Sequence, residues 1–165
     1  MEWRETSADN CPVGRSLELL GEKWTLLVVR DALNGVRRFD DFRHHVGLSE
    51  AVLADRLRKL VEAEVLEPRP YQEPGKRERV EYRLTPKGRE LLPVIIALKQ
   101  WGETHYPDPK GPVIGVKHRR CEGDVRVVLR CDEHSHEQTD LTVYDTFAVP
   151  GPGARRAKTP LPKRA

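Results

Sequence analysis

The chain has 165 residues, 38% of them hydrophobic and 33% charged, with 29 basic and 26 acidic side chains for a net charge of +3. That length holds one domain of ordinary size plus a small appendage, and no apolar run approaches the roughly 20 residues that cross a bilayer. The opening Met1-Glu2-Trp3-Arg4-Glu5 lacks a signal peptide's apolar stretch, so a cytosolic protein is expected. The cysteines, Cys11, Cys121 and Cys131, are odd in number and do not read as a disulfide framework.

Val13, Leu17 and Leu20 recur at i, i+4 and i+7, which predicts a first amphipathic helix interrupted at Gly21. Lys23 to Leu33 is apolar on nearly every side, as expected of a helix buried all round by its own domain or a partner chain, and Asn34-Gly35 ends it. Phe39, Phe42 and Val46 predict a short third helix with Asp40 as its cap. Ser49 then caps a fourth, whose inner face is Leu53, Leu57, Leu60 and Val61 and which runs to about Glu64. Two short helices joined by a tight glycine-containing turn form a helix-turn-helix pattern.

The period then changes to alternation. Leu66 begins a strand in which Pro68 suits an edge position, and Val80, Tyr82 and Leu84 alternate with Glu81 and Arg83, giving a second strand with one buried face. Gln72 to Glu78 between them reads as a hairpin tip. Thr85-Pro86 starts a last helix through Leu91, Leu92, Ile95, Ile96 and Leu98 to Trp101, with a bend expected at Pro93. The fold expected is therefore mainly α with a small β-wing, a winged helix-turn-helix over residues 1–106. A proline-rich linker (107–117) follows, then a small His/Cys-containing extension with little regular structure (118–150), in which 125–130 could form one strand. The basic 151–165 reads as a disordered tail.

Cys11-Pro12-Val13, Gly21-Glu22-Lys23-Trp24-Thr25-Leu26-Leu27, Arg37-Arg38-Phe39-Asp40-Asp41-Phe42, Val52-Leu53-Ala54-Asp55-Arg56-Leu57 and Val80-Glu81-Tyr82-Arg83-Leu84-Thr85 occur in order. Together they resemble the HxlR family of MarR-like bacterial regulators over about residues 10–104. The resemblance implies a homodimer that binds a pseudo-palindromic DNA operator, often near its own gene, and responds to a small-molecule or redox effector.

On that reading the fourth helix, capped by Ser49, presents Ala51, Val52, Asp55, Arg58 and Lys59 to the major groove, with Arg56 at the edge of the face. Ala51 and Val52 offer thymine methyls a surface but no hydrogen bonds, so affinity is expected to lean on phosphates, with base reading by few residues such as Arg58. A plain solvated charged face is the alternative. Lys76, Arg77 and Arg79 in the hairpin suit a minor groove, or simply keep an edge strand soluble. Arg37 and Arg38 reach phosphate, or pair with Asp40 or Asp41. His44-His45 reads as surface.

Cys11 opens the first helix, where the helix dipole favours a thiolate. Related regulators use such a cysteine as a redox or electrophile sensor, and a small buried hydrophobe is the alternative. In the extension, His118 and Cys121, then Cys131 and His134, share the spacing of a short structural zinc knuckle, with His136 able to replace His134. The resemblance extends to this pattern, although its usual second pair is two cysteines. An incidental polar tail is the other reading. No glycine-rich phosphate loop, nucleophile elbow or paired-histidine helix points to an enzyme. A winged helix serving protein contacts, or a redox- or metal-responsive sensor without its own operator, is the rival function.

Overall fold

The structure is a computed structural model that describes residues 5–112, 114–129 and 151. Its elements run α1 (Pro12–Leu20), α2 (Lys23–Leu33), α3 (Phe39–Val46), α4 (Glu50–Glu62), β1 (Leu66–Tyr71), β2 (Arg79–Leu84), α5 (Pro86–Arg89) and α6 (Leu92–His105). The chain divides into two compact units, one of Leu17–Arg126 and one of Met1–Ser16 with Val127–Ala165. The larger unit carries the winged-helix elements from α2 to α6.

The core of that unit is built where the sequence periodicity places it. Val28 and Val29 of α2, Phe42 of α3, and Leu53, Leu57 and Leu60 of α4 meet Val65 and Leu66 at the start of β1, all essentially out of solvent. Burying side chains of this size contributes about 1.5–3 kcal/mol each relative to exposure, so this cluster outweighs any single polar contact in holding α4. α2 is less completely buried than expected. Trp24, Leu26, Leu27 and Leu33 remain half-exposed, because only one flank of the helix faces α3 and α4.

Local signals set the turns. Gly47, at φ 75°, closes α3 in the left-handed conformation that a side chain would resist, and Ser49 Oγ accepts from the Val52 N–H at 3.4 Å to start α4. Asp40 does not cap α3. Arg38 holds the cap position without a side-chain bond, and Asp40 is the second residue of the helix, where its charge still complements the helix N-terminus. Thr85 caps α5 as expected, its Oγ1 accepting from the Gly88 N–H at 3.0 Å while donating to the Glu64 carbonyl at 2.6 Å. The bend expected at Pro93 is instead a break: α5 stops at Arg89, and α6 begins with Pro93 in its first turn, where the missing N–H costs nothing.

β1 and β2 form an antiparallel hairpin in which Leu66 faces Leu84, Pro68 faces Tyr82 and Pro70 faces Val80. On its other side β2 meets the residues before α3: the Tyr82 N–H donates to the Arg37 carbonyl at 2.8 Å, and Arg38 bridges Glu81. β1 is therefore the outer strand, and because Tyr82 points its N–H away from β1, the facing Pro68 turns its own nitrogen outward. The buried face expected for β2 is only partial. Tyr82 and Leu84 pack on the core, whereas Val80 is 46% exposed toward the hairpin tip. After α6 the described residues contain no further helix or named strand. The strand expected at 125–130 does not form over its described part, 125–129; the pairing there is a small turn with a Lys117–Asp124 bridge and a Val125 N–H to Val116 carbonyl bond at 2.9 Å.

Candidate nucleic-acid interface

Three elements converge through ion pairs that local sequence could not reveal. Arg43 near the end of α3 pairs with Glu50 at the start of α4. Arg38, before α3, donates to Glu73 of the hairpin tip at 2.7 Å and lies 4.5 Å over the Tyr71 ring. Arg79 of β2 approaches Asp40 at 3.9 Å. The wing, the entry to α3 and the start of α4 thus form one continuous surface. Lys76 and Arg38 together hold the Glu73 carboxyl below its ordinary value, and Glu73 in turn raises the Arg38 guanidinium.

On α4 the structure separates the expected face into two groups. Ala51 is exposed, and Arg58 projects outward at 56% exposure. Arg58 is not free: it donates to Glu62 and to Asp55, each at 2.7 Å. Those carboxylates raise the Arg58 guanidinium, Glu62 foremost, while Asp55 is pulled down by Arg58 and then by Lys59. Lys59 shares Asp55 at 3.1 Å and reaches Glu22 at 3.4 Å.

Arg56 and Val52 belong to the second group. Arg56 is turned inward, 13% exposed, and pairs with Glu22 just ahead of α2. At its place on the helix it faces the start of α2 rather than solvent, so it ties α4 to the body. Val52 is half-buried against the core for the same geometric reason. Glu22, held below its ordinary pKa chiefly by the Arg56 hydrogen bond, was invisible as a partner because it lies 34 residues upstream. Glu62 was a legible signal: it stands at i+4 from Arg58.

Arg37 and Arg77 are exposed and make no ion pair among the described residues; Lys76 is engaged with Glu73 at 2.6 Å. Ser49 is spent on capping. His44 and His45 are both exposed, as expected, and His45 Nδ1 also lies 2.7 Å from the carboxylate of Asp31, a buried acid on α2 that Arg30 holds at 2.8 Å. His45 therefore fastens α3 to α2.

Outside this surface, Cys11 is a free, half-buried thiol one residue ahead of α1. His118 Nδ1 and the exposed Cys121 Sγ stand 3.2 Å apart, drawn together by a turn in which His118 N–H donates to the Gly123 carbonyl. Cys131, His134 and His136 lie outside the described residues, and among the described residues no three metal-ligating side chains converge. No described helix is long and apolar enough to cross a membrane.

A short helix laid across a helical core, preceded by a tight turn and followed by a two-stranded wing, defines a winged helix-turn-helix transcription regulator. The HxlR-like helix-turn-helix family model matches residues 19–110, and the chain belongs to that family. It is 42% identical over 141 residues to the HTH-type transcriptional regulator Rv3095 of Mycobacterium tuberculosis, covering 86% of each chain. Among solved structures it is similar to the transcription factor PA1607, at 38% identity and a TM-score of 0.72 over 85% of this chain and 94% of that one. It also resembles the redox regulator HypR in its reduced form, at 31% identity and a TM-score of 0.51, over 56% of this chain and 91% of that one. These relatives are regulators, and the protein is one rather than an enzyme.

Proposed function

We propose that the protein binds a pseudo-palindromic operator in double-stranded DNA as a homodimer, with α4 in the major groove and the β1–β2 hairpin beside the minor groove. The observation that carries the DNA reading is the ion-pair chain from wing to α3 to α4, which fixes the two reading elements on one surface with Arg37 and Arg77 left unpaired. Support for the dimer is apolar surface on the helices: Val13 and Leu17 of α1, and Val94, Leu98 and Trp101 of α6, are each 42–67% exposed. Such stripes mark association surfaces, and two-fold pairing sets two recognition helices about one DNA turn apart.

The test is a salt titration of binding to the DNA beside the gene. Arg77→Ala should weaken binding to all sequences and make the salt slope shallower by about one phosphate contact. Light scattering should give a dimer at micromolar concentration, and Trp101→Glu a monomer. A protein that ignores both that DNA and random duplexes at low salt would overturn the reading, in favour of a winged helix that contacts protein.

Two further assignments are proposals of the same kind. A structural zinc would be held by His118, Cys121, Cys131 and His134. The 3.2 Å separation of the first pair supports it, being close to the roughly 3.5 Å edge of a thiolate–imidazole zinc tetrahedron. Redox sensing by Cys11 is supported by its unpaired thiol beside the N-terminus of α1 and by the likeness to a redox regulator.

A further inference from the structure

Glu73 stands where the wing tip meets the entry to α3, and its carboxylate joins two cations from separate elements. Arg38 Nη1 donates to Oε1 at 2.7 Å and Lys76 Nζ to Oε2 at 2.6 Å. Among the described residues neither cation has a second ion-pair partner. The same two cations keep the carboxyl ionised, Lys76 foremost. One oxygen to each of two cations is also how a DNA phosphate would engage them, through its two unbridged oxygens.

The cations are held in place without Glu73. Arg38 lies 4.5 Å over the Tyr71 ring, and its backbone bridges Glu81 of β2. The tip is closed by other bonds: the Lys76 N–H donates to the Glu73 carbonyl at 3.0 Å, and the Gln72 side-chain amide to the Lys76 carbonyl at 2.9 Å. None of these uses the Glu73 carboxylate. The Tyr82 N–H to Arg37 carbonyl bond and the Arg79–Asp40 approach also keep the wing docked if that side chain turns away. Arg38 and Lys76 are 45% and 62% exposed, so solvent screens both pairs, opening them costs little, and a phosphate has access to both cations.

The surrounding charge depends on Glu73. The open cleft between the hairpin and the start of α3 is lined by four acids and four cations, so it is balanced while Glu73 is in place and positive once Glu73 leaves. Of those four acids, Glu73 alone lies within ion-pair reach of Arg38 or Lys76. Asp40 is the neighbour of Arg79, and Glu78 makes no ion pair among the described residues.

We propose that Glu73 is a built-in substitute for a DNA phosphate: it occupies the site formed by Arg38 and Lys76 in the free protein and yields it to a backbone phosphodiester in the complex. This rests on the DNA-binding reading and adds to it a residue that works against binding. A displaceable acid lowers affinity for every duplex by the same factor and leaves discrimination between sequences to α4. The rival role for Glu73, a latch that holds the wing in position, has the opposite sign, because loss of the carboxylate would then weaken binding.

The experiment is fluorescence anisotropy of the full chain on a labelled duplex of the DNA beside the gene and on a random-sequence duplex. With no acid to displace, Glu73→Gln should bind both duplexes roughly tenfold more tightly at about 50 mM salt and roughly threefold at about 200 mM, its salt slope being steeper by about 0.9. Glu78→Gln removes the same charge from the same hairpin without freeing a cation, and should gain less than about twofold. In an Arg38→Ala background the low-salt gain from Glu73→Gln should fall to about threefold, because only Lys76 is left to release. Weaker binding by Glu73→Gln would assign the latch and overturn the proposal, as would unchanged affinity. Equal gains from Glu73→Gln and Glu78→Gln would also overturn it, by reducing the effect to net charge. Native protein that binds neither duplex at low salt would defeat the DNA-binding reading itself, and this inference with it.

Discussion

Gly88→Ala tests how closely the last helical segment is seated on the wing. Gly88 is buried in α5, and a Cβ there would stand 2.2 Å from the Val65 carbonyl oxygen and 2.8 Å from Leu84 Cδ2. Carbon and oxygen settle no closer than roughly 3.3 Å, so α5 must retreat by about 1 Å. That retreat strains two bonds across the same junction, from Thr85 N–H to the Val65 carbonyl at 3.2 Å and from Thr85 Oγ1 to the Glu64 carbonyl at 2.6 Å. Overpacking of this kind costs about 1–3 kcal/mol and each weakened hydrogen bond up to about 1 kcal/mol more. The gain in helix propensity on leaving glycine, about 0.5–1 kcal/mol, offsets part of it. The net destabilisation expected is about 2–4 kcal/mol, or on the order of 10–20 °C in melting temperature. Thermal circular dichroism at one fixed protein concentration measures it, since association also moves the midpoint. Gly102→Ala is the internal control: nothing lies within 4 Å of its Cβ, so it should raise the midpoint by a few degrees. A Gly88→Ala protein melting within about 2 °C of the native one would refute the close seating of α5.

Asp55→Asn removes a carboxylate from the outer face of α4 and one of the two that hold Arg58, leaving Glu62, so DNA binding should tighten roughly two- to fivefold in an electrophoretic mobility assay. Weaker binding would mean that Asp55 itself accepts a hydrogen bond from a base. Glu22 titrates below its ordinary 4.5 because Arg56 stabilises its anion, so this pair contributes fully above that value and is lost as pH falls through the lowered one. Glu22→Gln should therefore lower the melting temperature at pH 7, with the deficit shrinking as the pH is taken below 4.5; a drop of equal size at every pH would exclude the ion pair as the cause. Elemental analysis of untagged protein should find about one zinc per chain, lost in Cys121→Ser, and metal-free native protein would end the zinc proposal. Oxidant should alter DNA binding in the native protein and not in Cys11→Ser, whereas an insensitive native protein would dismiss Cys11 as a sensor.

The winged-helix architecture was legible because its signals are local. The Leu53–Leu57–Leu60 stripe, the Ser49 and Thr85 caps and the turn at Gly47 each depend on residues within a few positions of one another, and each stands where expected. The reading surface was legible only as a set of charges. Which cation is committed and which is available depends on partners distant in sequence: Arg38 with Glu73, 35 residues on, or Arg56 with Glu22. Charge type and helical angle placed Arg56 at the edge of the outer face, but the nearness of the start of α2 decided which way it turned. Asp31 shows the same limit, an acid inside an apolar run whose partner His45 lies on the next helix. The cleft between α2 and α6 had no linear signature, because the two helices start 69 residues apart and the segment that returns after α6 has no regular structure.

The outer strand of the wing limits how these molecules can meet. With proline at 68 and 70, on the side of β1 that faces away from β2, two successive outward positions can accept but not donate. A neighbouring chain trying to extend the sheet would find half of the ladder missing. Wing-to-wing stacking is thereby disfavoured however closely copies are crowded. The hairpin can project a strand edge into solvent, as a wing must, without becoming a seed for fibrous aggregation.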